Sequence, residues 1–328
     1  MNHDLKIWVD RLRSGDPRAL ARAISTVENR SPGGSDLLKA LFPFSGHARL
    51  LGLTGAPGAG KSTLVDQLAR LYRKSGQTLG IIAVDPTSPY TGGAILGDRI
   101  RMQEHHADPG IYIRSMATRG SLGGLARTTA DVATVLDASG RDLILIETVG
   151  VGQDEVDIVR LVDITIVILV PGMGDDVQSI KAGIMEIADI FVVNKSDRDG
   201  AEHLEREIRA LQSLATRHDG WVPPIVKTVA TTGAGVAELA ESIRSFDEHL
   251  RKEKLGLRRT IQNWQERLVE MLRDAMLDRA RVQMQNGRVE QYAAEVAEHK
   301  RDPYTLVEEI VRGNAAGVPP LPLGVKKG

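Results

Sequence analysis

Seven short apolar runs, rich in β-branched residues, constrain this chain more than any other feature. They are "LLGL" at 50, "LGIIAV" at 79, "IYI" at 111, "DLILIE" at 142, "ITIVILV" at 164, "DIFVVN" at 189 and "PIVKTV" at 224. Segments of helical length separate most of them. Unbroken apolar strands that alternate with helices predict an α/β fold, with a mostly parallel sheet covered on both faces. In such sheets ligands bind beyond the carboxyl ends of the strands. The unusual residues of this chain fall there: Thr54 to Thr63, Asp85, Glu147, Pro171 to Lys181, and Asn194 to Asp197.

Both ends of the chain read differently. Residues 4 to about 40 carry apolar side chains at helical spacing (Leu5, Trp8, Val9, Leu12, then Leu20, Ala23, Ile24, Val27). "GDP" at 15 to 17 divides them into two helices, and "SPGG" at 31 to 34 ends the second. After about residue 250 no strand signal remains. Ile261, Trp264, Leu268, Met271, Leu272 and Ala275 share one helical face, and a second segment, 291–312, follows a break at "NGR". The expected organisation is a helical extension over 1–45, a central domain over 46–250 and a helical arm over 251–328.

Between the first strand and the next helix lies "GAPGAGKST", Gly55, Ala56, Pro57, Gly58, Ala59, Gly60, Lys61, Ser62 and Thr63. It fits the phosphate-loop pattern G-x-x-x-x-G-K-[ST] without a mismatch, in the strand–loop–helix setting the pattern needs. Glycines let backbone N–H groups curl around phosphate oxygens, and the helix N-terminus adds its positive dipole end. Lys61 would reach the β- and γ-phosphates, and the Ser62 hydroxyl would ligate Mg²⁺. A glycine-rich turn without a ligand is the bland alternative.

The base is read from "NKSD", Asn194 to Asp197, at a later strand end. The Asp197 carboxylate can accept from both N1–H and the exocyclic amine of guanine, whereas adenine offers no such donor pair. Asn194 would brace the loop, and the Lys195 stem would cover one face of the base. "ATTGAG", from Ala230 and Thr231 to Gly235, follows the last strand and can offer a backbone N–H to the guanine carbonyl. Together these elements predict GTP and GDP as ligands.

"ETVGVG" at 147 to 152 occupies the place of the D-x-x-G element of GTPases, with Glu147 for Asp. Glu147 would contact Mg²⁺, and Gly150 would offer its N–H to the γ-phosphate. Val151 stands where the Ras-like pattern has a water-orienting Gln, so slow unaided hydrolysis is expected. Asp85 and Asp98 are further candidates for Mg²⁺, and Arg99 and Arg101 for neutralising phosphate charge. The loop "PGMGDDVQSIK" at 171 to 181 is Gly-rich and acidic, as a moving segment or a plain connection would be. His105 and His106, beside Asp108, lack further ligands at zinc-like spacing and read as surface histidines.

Composition excludes several classes. Forty-two Lys and Arg against 43 Asp and Glu leave a formal charge of −1, so nothing argues for nucleic acid or an anionic membrane. With no cysteine, thiol catalysis, disulfides and iron–sulfur clusters are out. The first ten residues show neither a secretory signal nor a transit peptide, and no uncharged apolar segment reaches about 18 residues. A cytoplasmic protein is expected.

Beyond a GTPase with helical additions, the sequence closely resembles the MeaB family, also called ArgK, of G-protein chaperones for methylmalonyl-CoA mutase. The resemblance rests on "GLTGAPGAGKSTLVDQL", "VDPTSPYTGGAILGDRIRM", "RSMATRGSLGGLA", "IETVGVGQDEVDI", "VPGMGDDVQSIKAGIMEIADIFVVNKSD" and "DPYTLVEEIV". It implies a P-loop NTPase of the SIMIBI type whose C-terminal arm forms a homodimer. It further implies Mg²⁺-dependent GTP hydrolysis, stimulated by an adenosylcobalamin-dependent acyl-CoA mutase. Such proteins gate cofactor loading from a cobalamin adenosyltransferase and protect the mutase from inactivation. Asp98, Arg99, Arg101, Gly152, Gln153, Asp175, Asp176 and Lys181 would be switch residues, with Asp175 and Lys181 relaying between nucleotide and mutase. None of the eight histidines lies in the D-x-H-x-x-G arrangement that ligates the cobalt of base-off cobalamin. Two rivals remain at this point: a kinase or ATPase linked to amino-acid transport, and a metallochaperone GTPase.

Overall fold

A computed structural model describes residues 3–85, 105, 107–117, 124–148, 161–172, 187–214, 219–283 and 288–312. Each of the seven apolar runs forms a strand: β1 (Arg49–Thr54), β2 (Leu79–Asp85), β3 (Ile111–Ala117), β4 (Leu143–Glu147), β5 (Ile164–Leu169), β6 (Ile190–Asn194) and β7 (Ile225–Thr228). They make one sheet in the order β3-β2-β4-β1-β5-β6-β7, and all its pairs are parallel. β1 lies between β4 and β5. The strand order therefore reverses beside it, and a crevice for a ligand opens past its carboxyl end.

The strands are apolar on both faces because both are covered. On one face Leu51, Leu53, Ile164 and Ile166 pack on helices α4 (Lys61–Lys74) and α7 (Val236–Lys252). On the other, Ile82, Ile144 and Ile146 meet α5 (Gly124–Ala138) and the N-terminal helices. Helix α6 (Ala201–Leu214) covers Val167, Phe191 and Val193. At about 25 cal/mol per Å² of apolar surface removed from water, these layers are the main stabilising term.

The N-terminal segment contains α1 (His3–Arg13), α2 (Pro17–Glu28) and a third helix, α3 (Gly34–Leu41). The break at "GDP" is a start signal. Asp16 caps α2 by accepting from the N–H groups of Arg18 and Ala19, and Pro17 takes the first turn. "SPGG" does more than end α2, because Gly33, at φ +87°, is also the residue from which α3 departs. Leu12, Leu20, Ile24, Leu37 and Leu41 share one core with the sheet, so these helices are part of the sheet's covering. The buried Asp137 carboxylate fixes their junction with β1 by accepting from the N–H groups of His47 and Ala48 at 3.1 and 2.9 Å. At the end of α4, the Arg73 guanidinium binds Asp108 through two nitrogens and holds its carboxyl below the usual carboxylate range.

The chain divides into two compact units, Met1–Asn263 and Trp264–Gly328. Helix α8 (Gly256–Gln283) begins in the first and continues into the second. The second unit also holds α9 (Arg288–Ala297) and α10 (Pro303–Arg312), so the segment expected after "NGR" is two helices. There Leu306 and Ile310 pack against Ala280, Tyr292 and Val296. The apolar face expected on α8 is present but open, with Leu268 57% and Leu272 61% exposed.

Gly55 is where β1 turns into the loop above the crevice. It takes φ +143°, and a Cβ there would sit 2.1 Å from the Ile168 carbonyl oxygen of neighbouring β5. Backbone on both sides leaves no room to yield. Gly55→Ala is expected to cost about 3 kcal/mol or more of stability in a urea titration. A variant within about 0.5 kcal/mol of the wild type would show that the β1–β5 contact is slack.

Candidate functional site

Three loops meet beyond the carboxyl ends of β1, β6 and β7. The first runs from Gly55 to Gly60. Gly58 and Gly60 adopt φ +77° and +90°, and a Cβ on Gly60 would lie 2.4 Å from Asn194 Nδ2. Only glycine combines that backbone with so close a neighbour. The loop ends at the N-terminus of α4, where Lys61 and Ser62 are the first two residues and both are buried. Lys61 Nζ donates to the carbonyls of Gly55 at 2.7 Å and Ala56 at 3.0 Å, which holds its charge inside the loop. Ala59 is buried, whereas Pro57 is exposed at the loop's crest.

Ser62 Oγ donates to Glu147 Oε1 at 2.6 Å, across the boundary between α4 and β4. Beside it the hydroxyls of Thr148 and Thr54 are 3.1 Å apart, and both are buried. Asp85 ends β2, two residues beyond the Ala83 that pairs with Glu147. Asp85 and Glu147 thus stand at the carboxyl ends of the adjacent strands β2 and β4, and Ser62 is bonded to Glu147. A hydroxyl and carboxylates are hard oxygen donors, the set that suits Mg²⁺ rather than a thiophilic metal.

The second and third loops are joined through Asn194, which is 2% exposed. Its Nδ2 donates to the Ala59 carbonyl at 2.8 Å. Its Oδ1 accepts from Thr228 Oγ1 at 3.0 Å and from the Ala230 N–H at 3.1 Å. Lys195 takes φ +56°, unusual for a residue with a side chain, and its Nζ donates to the Gly58 carbonyl at 2.8 Å. The Lys195 stem therefore bridges the NKSD loop and the phosphate loop. Asp197 and Thr231 are exposed on the two loops that Asn194 joins, while Ala230 is buried. Gly235, where a Cβ would meet the Lys227 carbonyl at 2.0 Å, closes the third loop before α7 begins.

Gly150, Gly152 and Gln153, together with Asp98, Arg99, Arg101, Asp175, Asp176 and Lys181, lie outside the described residues. His106 does too. His105 is buried on the flank of α4, with Nε2 2.6 Å from Asp66 Oδ1. It is a packing partner rather than the surface histidine read from the sequence. Thr148 and Thr228, whose hydroxyls bond Thr54 and Asn194, carry no local signal in the sequence that marks them as parts of the site.

A family model described as methylmalonyl-CoA mutase-associated GTPase MeaB matches residues 20–285. A Pyrococcus abyssi relative that carries the name of a GTPase is 46% identical over 307 residues, covering 93% of this chain and 95% of its own. The mouse protein named methylmalonic aciduria type A homolog, mitochondrial, is 39% identical over 265 residues, covering 74% of this chain and 64% of its own. Among solved structures, one described as LAO/AO transport system kinase aligns with a TM-score of 0.71 at 28% identity, over 95% of this chain and 98% of that one. The chain belongs to the MeaB family of P-loop GTPases.

Proposed function

We propose that this protein binds GTP with Mg²⁺, hydrolyses it to GDP and phosphate, and uses that cycle as a chaperone. The client would be an adenosylcobalamin-dependent acyl-CoA mutase, most directly methylmalonyl-CoA mutase. The observation that carries the nucleotide reading is the Asn194 amide, which locks the phosphate loop to both loops assigned to the base. The printed names of the family and of the mouse relative support the client.

In this reading the Gly55–Thr63 backbone cradles the phosphates. Lys61 Nζ exchanges the Gly55 and Ala56 carbonyls for β- and γ-phosphate oxygens, so its charge is placed in advance of binding. Ser62, Asp85 and Glu147, with Asp98, would hold Mg²⁺, which would supply positive charge to the transferred phosphoryl group. For that, the Ser62 hydroxyl must release Glu147. The Gly150 N–H meets the γ-phosphate. Asn194 keeps the base loops seated, and Asp197 selects guanine through its paired donors. With Val151 after Gly150, the attacking water has no Gln to orient it, and client binding completes the site.

Linkage supplies the chaperone cycle. GTP and GDP favour different arrangements of the segments bearing Asp98, Arg99, Arg101, Gly152, Gln153, Asp175, Asp176 and Lys181. A mutase that binds those arrangements unequally shifts nucleotide affinity by the same factor. Hydrolysis then makes the cycle directional, gating cofactor delivery from a cobalamin adenosyltransferase. Among the described residues no helix is long and apolar enough to cross a membrane, and we place the protein in the cytoplasm. We keep the division into extension (1–45), G domain (46–250) and arm (251–328) as a functional one.

The open apolar stripe of α8 fits a second copy of the chain, since exposed Leu268, Val269, Leu272 and Met276 lack a cover. Sedimentation should show a homodimer that Leu272→Glu converts to monomer; a wild-type monomer at micromolar concentration would remove this assignment.

The decisive assay is nucleotide turnover with and without purified methylmalonyl-CoA mutase, with ATP as control. Slow GTP turnover should rise about tenfold or more with the mutase, and ATP should not be turned over. Indifference to the mutase would discard the client. Preference for ATP would discard the base reading and favour the kinase description carried by the solved relative.

A further inference from the structure

At the end of the sheet opposite the candidate site, four side chains close a ring. The Asp189 carboxylate, 1% exposed, immediately precedes β6. It accepts from Arg259 Nη1 at 3.0 Å and Nη2 at 2.6 Å, and from the Thr165 N–H of β5 at 2.9 Å. The Arg259 guanidinium, on the first turn of α8, lies over the Phe246 ring of α7 at 5.4 Å. Phe246 packs on Trp221, with ring centroids 5.0 Å apart. Trp221 Nε1 then returns to the Asp189 carbonyl at 2.8 Å.

The elements this ring ties together are the ones that carry the base loops. β6 runs five residues from Asp189 to Asn194, all of them buried. Trp221 leads into β7, which delivers Ala230, and α7 starts just after the loop that Ala230 opens. A buried strand about 17 Å long has no slack, so a shift at Asp189 moves Asn194. Removing Arg259 would take two charge-assisted hydrogen bonds from a carboxylate that is 1% exposed, which favours such a shift or an inflow of water.

We propose that Arg259 is a positioning residue for the guanine base, and that the seating of the α8 root is thereby linked to nucleotide occupancy. GTP and GDP present the same base, so the link reports a loaded site against an empty one and is blind to the number of phosphates. By reciprocity, nucleotide binding steadies the root of α8 to the same extent that the root steadies nucleotide. The inference rests on the guanine reading proposed above.

The test measures the affinities of fluorescent GTP, GDP and IDP, with saturating GTP turnover, in wild type and Arg259→Ala. IDP lacks the exocyclic amine that Asp197 would accept from. Arg259→Ala should weaken GTP and GDP by one common factor of about ten, narrow the preference for GDP over IDP, and leave kcat within about twofold. Unchanged GDP affinity, a loss confined to GTP, or a loss that keeps the GDP to IDP ratio would overturn the proposal. Should Arg259→Ala fail to fold, amide exchange of wild-type residues 256–263 decides: GDP slows it and ADP does not, and no slowing with GDP overturns the link. A wild type that binds ADP in place of GDP would instead sink the functional reading, before any variant is made.

Discussion

The architecture of the candidate site depends on one primary amide. Asn194 donates to the phosphate loop at Ala59 and accepts from Thr228 and Ala230, all away from water. Each of these partners, left unpaired when buried, would cost on the order of 1–3 kcal/mol. Satisfying three at once with one short side chain fixes the relative positions of loops that are about 135 and 36 residues apart in sequence. Asp or Leu, close to Asn in size, would not serve. A carboxylate cannot donate to Ala59, and an aliphatic tip satisfies none of the three.

The sheet makes that amide possible. Because β1 sits between β4 and β5, the carboxyl ends of β1, β4, β5 and β6 line up in adjacent order. Glycine at 55 lets the chain pass within reach of the Ile168 carbonyl, and glycine at 60 lets it pass beneath Asn194. Residue choice at these two positions is thus a steric consequence of how closely the loops converge. In the proposed chemistry, convergence also removes water from the space around Lys61 and Ser62, where fixed charges and hydroxyls gain strength.

The sheet was legible in the sequence because strands buried on both faces need unbroken apolar residues, and runs such as "ITIVILV" cannot serve an amphipathic surface helix. The phosphate loop was legible for a related reason, since its glycines answer a local backbone demand. α3 was hidden because Gly33 can end one helix and begin the next, and the residue type does not say which. Long-range polar partnerships were hidden too. Nothing near Asp137 marks it as an acceptor for N–H groups some 90 residues away, and nothing near Asp189 announces Arg259. His105 read as surface until α4 brought Asp66 against it. Side chains that link distant segments acquire meaning only from the fold, whereas turn and strand signals carry theirs locally.

Asn194 bonds the phosphate loop to the Thr228–Ala230 turn, and nucleotide affinity should depend on that tie. Calorimetric titration of GDP into wild type and Asn194→Ala, with circular dichroism to establish that both are folded, tests it directly. The account predicts that the folded variant loses about a hundredfold or more in GDP affinity, as expected when three buried hydrogen bonds are removed together. A folded Asn194→Ala protein that binds GDP as tightly as the wild type would contradict it.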